Sequence, residues 1–341
     1  MTLNSPAPDA AEVVPAGPAF SAANDLIDNG HGIYTIDAHY VAPRVASIHL
    51  IVGTGAEGVE AAFFDTGTNH SWPYVSGALA ALGIKPEQVR YVIPSHVHLD
   101  HAGGAGKMIE NFPRAKLVVH PRGARHLVDP SKLFAATIAV YGEATTHRLY
   151  GELVPVPADR VIEAVDGMVL KLGQRELTLL DTPGHAKHHV CLRDGQTGGC
   201  FTGDTFGLSY RQFDVAGRPS IIPTTTPSQF DPAAMRASIE RLLAFNPPAM
   251  YLTHFGKVRE VARLGESLLN QLERLMAMAQ SLRDLPAAER HTRIRAGLSE
   301  HFLAESKRLG WSMTGPALMK WLETDIELNA QGLGVWLDGA A

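Results

Sequence analysis

The first third of the chain shows short apolar runs separated by glycine-containing turns. β-Branched and aromatic residues fill Ile33–Ile36, Val45–Val52 and Val59–Phe64, a composition that is typical of strands. Because these runs follow one another directly, the pattern predicts an antiparallel meander. A helix is predicted next over Trp72–Leu82, where apolar residues have helical spacing and Gly83 provides a stop.

The middle of the chain continues with one more strand, a polar loop and an insertion, after which a second β-rich region begins. A strand at Val89–Ile93 precedes a loop rich in His and Asp, and Ala124–Leu153 is interpreted as a helical or irregular insertion. Further strands are predicted at Leu117–His120, Val161–Val165, Met168–Leu172, Leu177–Asp181, His189–Arg193 and Cys200–Thr202. A helix at Pro232–Phe245 and a strand at Met250–Thr253 complete a second unit of strands followed by helix. Two such units predict a layered α+β fold with packed sheets and helices outside.

The two ends of the chain differ from this central region. Residues 1–25 are rich in Ala, Pro and Ser and contain no Lys or Arg, so they are predicted to be a flexible tail rather than a secretory signal. From Val258 to Leu282 apolar residues recur every three or four positions, which predicts a long amphipathic helix with more helix after it. The predicted division is therefore the tail, a layered domain over 26–256 and a helical C-terminal extension over 257–341.

Composition narrows the function classes. With 45% hydrophobic residues, 19% charged residues and a net charge of −5, the 341-residue chain has enough apolar residues for a large core and shows no basic cluster for nucleic acid. It has no apolar run of membrane-spanning length. We therefore expect a cytoplasmic protein that acts on a small molecule, without nucleic-acid or membrane partners, and a homodimer is the common assembly to expect. Cys191 and Cys200 flank a predicted hairpin turn and are expected to be reduced thiols rather than a disulfide.

The strongest chemical signal is the segment His96-Val97-His98-Leu99-Asp100-His101. It places four potential metal ligands within six residues, on a loop that follows a predicted strand. The spacing of His96 and His98 excludes one helical face, because ligands on a helix recur at i and i+4. On a turn these two imidazoles can approach one ion while Asp100 and His101 face another.

Three more candidate ligands follow later strands. His185 comes after Pro183-Gly184, Asp204 follows Gly203, and His254 follows Thr253. Imidazole and carboxylate ligands suit zinc first, with iron and manganese as alternatives.

In their order and surroundings, these segments resemble the sequence blocks of the metallo-β-lactamase superfamily. Five blocks over roughly residues 30–260 carry the resemblance: Phe64-Asp65-Thr66-Gly67, His96 to His101, Gly184-His185, Gly203-Asp204 and Thr253-His254. The resemblance implies a four-layer αββα sandwich with two divalent metal ions at one edge. It implies that the first ion is held by His96, His98 and His185, and the second by Asp100, His101 and His254.

The same resemblance implies that Asp204 bridges the ions and that Asp65 orients a ligand. A metal-bridging hydroxide is then the expected nucleophile, and Asp100 the residue that steers its proton. His189 matches a further family histidine, but a structural hydrogen bond is the role we predict for it.

The sequence therefore predicts a dinuclear hydrolase of an ester, thioester, lactone or related carbonyl substrate. Two alternatives stay open. One is an oxidoreductase similar to the persulfide dioxygenases, which use a single iron on three of these ligands. The other is a member of the fold that binds metal without catalysis.

Overall fold

The computed structural model describes residues 18–56, 58–226 and 229–339. Within them the chain forms two mixed sheets with helices on both outer sides. Strands β1 to β7 lie side by side in chain order in the first sheet: Leu26–Asp28, Ile33–Asp37, Ser47–Gly55, Gly58–Phe64, Val89–Ile93, Lys116–Val119 and Val161–Glu163. Strands β8 to β13 form the second sheet, also in sequential order: Val169–Leu172, Arg175–Asp181, Val190–Asp194, Cys200–Gly203, Met250–Leu252 and Gly256–Val258.

The helices are placed before, between and after these strands. Helices α1 to α7 are Ala22–Asp25, Trp72–Ala81, Leu99–Ala102, Ala105–Asn111, Pro121–Val128, Ser131–Tyr141 and Glu143–Tyr150. Helices α8 to α12 are Pro232–Ala244, Val261–Ser281, Ala287–Leu309, Gly315–Trp321 and Glu323–Gly339. None of the helices that the structure describes is long and apolar enough to cross a membrane.

Apolar side chains bind these layers together. Phe64 of the first sheet and Phe201 of the second are both fully buried, with ring centroids 5.6 Å apart. Phe63 points to the opposite side of its sheet, where it stacks on Phe112 beside α4. This alternation follows from the two-residue period of a strand, and it gives each sheet one face toward the other sheet and one toward helices. The predicted αββα arrangement is confirmed.

Both sheets end in loops at one edge of the sandwich. Strands β2 to β4 form the predicted antiparallel meander, and β1 adds a further antiparallel strand. Strands β4 to β7 pair in parallel. In the second sheet β11 and β12 are also parallel. Because parallel strands point the same way, the loops after β4 and β5 and those after β11 and β12 gather residues that are far apart in sequence.

The predicted start of the C-terminal helix at Val258 is wrong. Val258 belongs to β13, which pairs antiparallel with β12. The left-handed φ of +73° at Gly256 allows the tight reversal that creates this extra strand. Helix α9 begins only at Val261, and the predicted further helix is present as α10, α11 and α12, which ends at Gly339.

Part of the predicted tail packs against the domain. Residues 1–17 of that prediction lie outside the described residues. The carbonyl of Pro18 accepts a hydrogen bond from Tyr74 Oη at 2.9 Å, and the buried carboxylate of Asp25 lies 2.9 Å from Nε2 of His39. The insertion predicted as helical or irregular forms α5, α6 and α7.

Candidate metal centre

Strand β5 and the turn after it bring two histidines to the edge of the sandwich. The fully buried His96 follows the strand, and His98 adopts an extended conformation immediately before α3. His96 Nε2 lies 2.7 Å from His98 Nδ1, which in turn lies 3.2 Å from Nε2 of His185. One nitrogen from each of these three residues lies within 4.8 Å of the others. Three imidazoles therefore converge on one point.

A second group forms next to the first. Oδ2 of Asp100 lies 3.5 Å from Nε2 of His101 and 3.3 Å from Nε2 of His254. The other nitrogen of the His254 ring is hydrogen-bonded to the carbonyl of Val45 at 2.7 Å. This bond turns Nε2 of His254 toward Asp100.

Asp204 lies between the two groups. Its Oδ1 is 3.3 Å from His101 Nε2 and 3.7 Å from His254 Nε2, whereas its Oδ2 is 3.4 Å from His185 Nε2. One oxygen thus faces each group. The structure brings together all seven residues that the sequence singled out: His96, His98, Asp100, His101, His185, Asp204 and His254.

Two of the candidate ligand atoms lack the hydrogen-bond partners that buried polar atoms normally have. His101 Nε2 and Asp204 Oδ1 are buried, and neither has a hydrogen-bond partner among the residues that the structure describes. Leaving buried polar atoms without partners is costly. Cations coordinated by imidazole and carboxylate groups would satisfy both atoms.

Asp65 fixes the ring of His101. Its Oδ2 lies 2.8 Å from His101 Nδ1, and its Oδ1 accepts a 2.6 Å hydrogen bond from the backbone N–H of Ser95. Thr253 Oγ1 donates to Oδ2 as well. With Nδ1 held in this way, Nε2 faces Asp100 and Asp204, which agrees with the role expected of Asp65.

Comparison with known proteins identifies the family. Residues 44–254, more than half of the chain, match the family described as the metallo-beta-lactamase superfamily. The chain belongs to the metallo-β-lactamase superfamily.

Three members of this superfamily illustrate the similarity. The chain is 25% identical over 232 residues to the metallo-beta-lactamase fold-containing protein ST1585 of Sulfurisphaera tokodaii, covering 67% of this chain and 79% of that protein. The ST1585 crystal structure, described under the name Sulfolobus tokodaii, has a TM-score of 0.63 at 23% identity, covering 89% of this chain and 98% of that one. The human acyl-coenzyme A thioesterase MBLAC2 is 30% identical over 51% of this chain, a match that spans 63% of its own length. A hydroxyacylglutathione hydrolase of Polaromonas sp. is 33% identical over 37% of each chain.

Burial and charge set the protonation of the histidines in this metallo-β-lactamase site. Burial lowers the pKa of His185 to about 3, and neighbouring imidazoles also lower it, whereas the Asp204 carboxylate acts in the opposite direction. Burial and the imidazole of His101 hold the pKa of His96 well below its ordinary value. Unprotonated imidazoles have the free lone pair that a metal ligand needs.

His101 differs from these two histidines. Burial alone would lower its pKa, but the carboxylates of Asp204, Asp100 and Asp65 raise it well above the ordinary value. Three acidic groups around one imidazole favour a positive charge at this point, which bound cations would supply.

His189 is hydrogen-bonded to the segment that carries Asp204. Its Nδ1 lies 3.0 Å from Thr182 Oγ1 and 3.1 Å from Thr205 Oγ1, and its Nε2 accepts the backbone N–H of Asp204 at 3.3 Å. These bonds match the structural role that we predicted for it.

Sequence analysis did not single out Tyr40, Tyr150 or Asp325. Tyr40 and Tyr150 join their hydroxyls at 3.0 Å, and Asp325 of α12 bonds to Tyr210. Burial raises the pKa of Tyr40, and so does the charge of Asp100. No motif marks these residues, because they come from separate loops and helices that meet only in the folded chain.

Proposed function

We propose that the chain is a metal-dependent hydrolase with a dinuclear centre. Its substrate is an ester, thioester, lactone or related carbonyl compound. The observation that carries this proposal is the position of Asp204, whose two oxygens face two separate groups of nitrogen and oxygen ligands. A carboxylate in this position is suited to bridge two ions.

Under this proposal the residues divide into two sets. His96, His98 and His185 hold one ion, and Asp100, His101 and His254 hold the other. The three-imidazole set suits zinc, with iron and manganese as alternatives. When bound, such ions lower the pKa of a coordinated water and polarise a substrate carbonyl.

Asp100 is the residue proposed to manage the proton. Its side chain is 20% exposed, compared with 7% for Asp204 and 1% for His101. The adjacent His101 and His254 outweigh the effect of burial and lower the pKa of Asp100. An ionised and accessible carboxylate at this position can accept a hydrogen bond from the attacking water and so steer its proton.

Two of the relatives support the reaction class. An acyl-coenzyme A thioesterase and a hydroxyacylglutathione hydrolase are enzymes whose names describe cleavage of an acyl group. The proposal extends that class, not either substrate, to this chain, and it includes a small-molecule substrate and a cytoplasmic location.

Metal analysis of the purified protein, paired with an activity screen on the same sample, tests the proposal. We expect two divalent ions per chain and turnover of at least one member of an ester, thioester and lactone panel. One iron per chain with oxygen uptake on glutathione persulfide would favour the dioxygenase alternative. Bound metal without turnover of any panel member would favour a non-catalytic role.

A further inference from the structure

The C-terminal extension contacts the loop that follows Asp204 through the side chain of Asp325. Asp325 lies on the first turn of α12, and its Oδ1 accepts a 3.1 Å hydrogen bond from the hydroxyl of Tyr210. Tyr210 lies on the loop that follows Asp204. Its ring is held edge-on by Phe213 and Trp321, with centroids 5.8 and 6.0 Å away. The hydroxyl therefore has a fixed position.

Helix α12 is itself fixed against the loop before residue 227. Asn329, one turn after Asp325, accepts hydrogen bonds from the Thr225 hydroxyl at its Oδ1 and at its carbonyl, 2.8 and 3.1 Å away. At Gly332 the backbones approach so closely that an added Cβ would lie 1.5 Å from the Thr225 carbonyl oxygen. The next residue of the loop, Thr226, places its hydroxyl 3.2 Å from Nε2 of His185. One helix thus supports two walls of the same site.

Asp325 is near the centre but is not sealed off. Its side chain is half-buried, unlike the buried Tyr210 beside it. The backbone N–H of Ser209, the residue before Tyr210, donates to the carbonyl of His254, so the pair of Tyr210 and Asp325 lies beside that candidate ligand. Asp100 is likewise partly accessible. Asp100 and Asp325 are thus both partly exposed carboxylates, and both lie close to His254.

The pair of Tyr210 and Asp325, called the wall here, offers hydrogen-bond acceptors but no free donor. Tyr210 has a single hydroxyl proton, and it donates that proton to Asp325. Within the described part of the chain, Tyr210 is the one side chain bonded to the Asp325 carboxylate. The phenolic oxygen and the second carboxylate oxygen are thus left as hydrogen-bond acceptors.

Resting on the proposed hydrolase function, we propose that Asp325 and Tyr210 determine substrate specificity. They select carbonyl substrates that carry a hydrogen-bond donor, a hydroxyl or an amide N–H, close to the scissile group. Anionic groups at the same place are disfavoured, since the wall offers no donor to them and already contains a carboxylate. The helical extension is then part of the active site.

A pair of matched esters tests this inference. We would measure kcat and KM at pH 8 for 4-nitrophenyl butyrate and 4-nitrophenyl 3-hydroxybutyrate, which differ by one hydroxyl. The metal-loaded full-length protein is compared with Asp325→Asn, Tyr210→Phe and the control Glu323→Gln, which changes the same charge at an exposed position of α12. Ligand-observed NMR on the same samples gives the relative affinities of methyl butyrate and methyl 3-hydroxybutyrate without requiring turnover.

We expect the wild type and the control to prefer the hydroxylated compounds. In Asp325→Asn the preference in kcat/KM falls by about tenfold, because a hydrogen bond to a charged group is lost. The change lies mainly in KM for the hydroxylated ester, and metal content is unchanged. Tyr210→Phe has the same direction.

Two results would overturn the inference. One is equal loss of activity or affinity for both compounds of a pair, which would mean that the residues are merely structural. The other is an unchanged preference in both assays. If the wild type turns over neither ester, the hydrolase proposal fails in that assay, and the NMR preference alone then decides whether the wall selects donors.

Discussion

The Asp65 carboxylate lies 2.8 Å from Nδ1 of His101 and so directs the other ring nitrogen toward Asp204. Replacing it by Asn removes the charge and one strong acceptor. We expect Asp65→Asn to weaken metal binding by about 10- to 100-fold, the usual effect of losing a group that orients a ligand. Competition with a fluorescent chelator measures this affinity.

The exposed Asp166 offers a matched control for that experiment, because Asp166→Asn changes the same charge on a side chain that pairs with Arg241 rather than with a candidate ligand. Equal metal affinity in Asp65→Asn and in the wild type would contradict the orienting role of Asp65.

Asp204 is predicted to determine the number of bound ions. Because one of its oxygens faces each ligand group, Asp204→Ala removes a shared ligand and should abolish dinuclear occupancy. Elemental analysis should give at most one ion per chain, whereas the control Asp181→Asn should keep two. Two tightly held ions in Asp204→Ala would refute the ligand assignment.

Gly184 must stay without a side chain for His185 to keep its position. Its φ is +134°, and an added Cβ would lie 2.3 Å from the backbone of Met235 in α8. Gly184→Ala should therefore lower stability by about 1–3 kcal/mol and reduce metal content. Denaturant unfolding and elemental analysis measure the two effects.

Gly334→Ala is the matched control for this substitution. Nothing lies within 4 Å of a Cβ at Gly334, which is in helix α12, so alanine should leave stability unchanged or raise it slightly. Similar stability and metal content in both variants would show that the backbone near His185 can move aside.

Protonation of His49 is expected to lower the stability of the protein in acid. The ring is fully buried between Thr35 Oγ1 at 3.1 Å and the Leu252 carbonyl at 3.0 Å, and burial lowers its pKa to about 4. The unfolded chain has a histidine pKa of about 6.5. Between these values the unfolded state binds the extra proton, so stability is present above pH 6.5 and is lost as the pH falls toward 4.

The contribution of His49 is about 3 kcal/mol at most, since one pKa unit corresponds to about 1.4 kcal/mol. We would measure the free energy of unfolding from pH 8 to 4 for the wild type and His49→Gln, both with a chelator present. The free energy of unfolding of the variant should depend less steeply on pH, because unfolding then takes up as much as one proton fewer. Parallel curves would show that His49 does not titrate on unfolding.

The two cysteines should resist modification in the folded protein. Cys191 and Cys200 are free thiols, both are fully buried, and burial raises the pKa of the Cys200 thiol to about 12. A thiol reagent such as DTNB should react with neither until denaturant is added. Rapid labelling of the native protein would contradict this burial.

The sequence by itself determined the layered fold and the candidate ligands. Short runs of β-branched and aromatic residues such as Val59–Phe64 stand between glycine-containing turns, and His96 to His101 form a dense local cluster. Local signals of this kind survive without tertiary information. The same reasoning failed at Val258, because the reversal at Gly256 depends on pairing with a neighbouring strand.

Only the tertiary structure decided which distant residues meet. The two-sided position of Asp204, the support from His189 and the reach of Asp325 to Tyr210 all join segments that are separated along the chain. No periodicity encodes such contacts, since they arise when two sheets and the C-terminal helices bury their apolar faces together. The sequence therefore named the candidate ligands, whereas packing of the layers set their geometry.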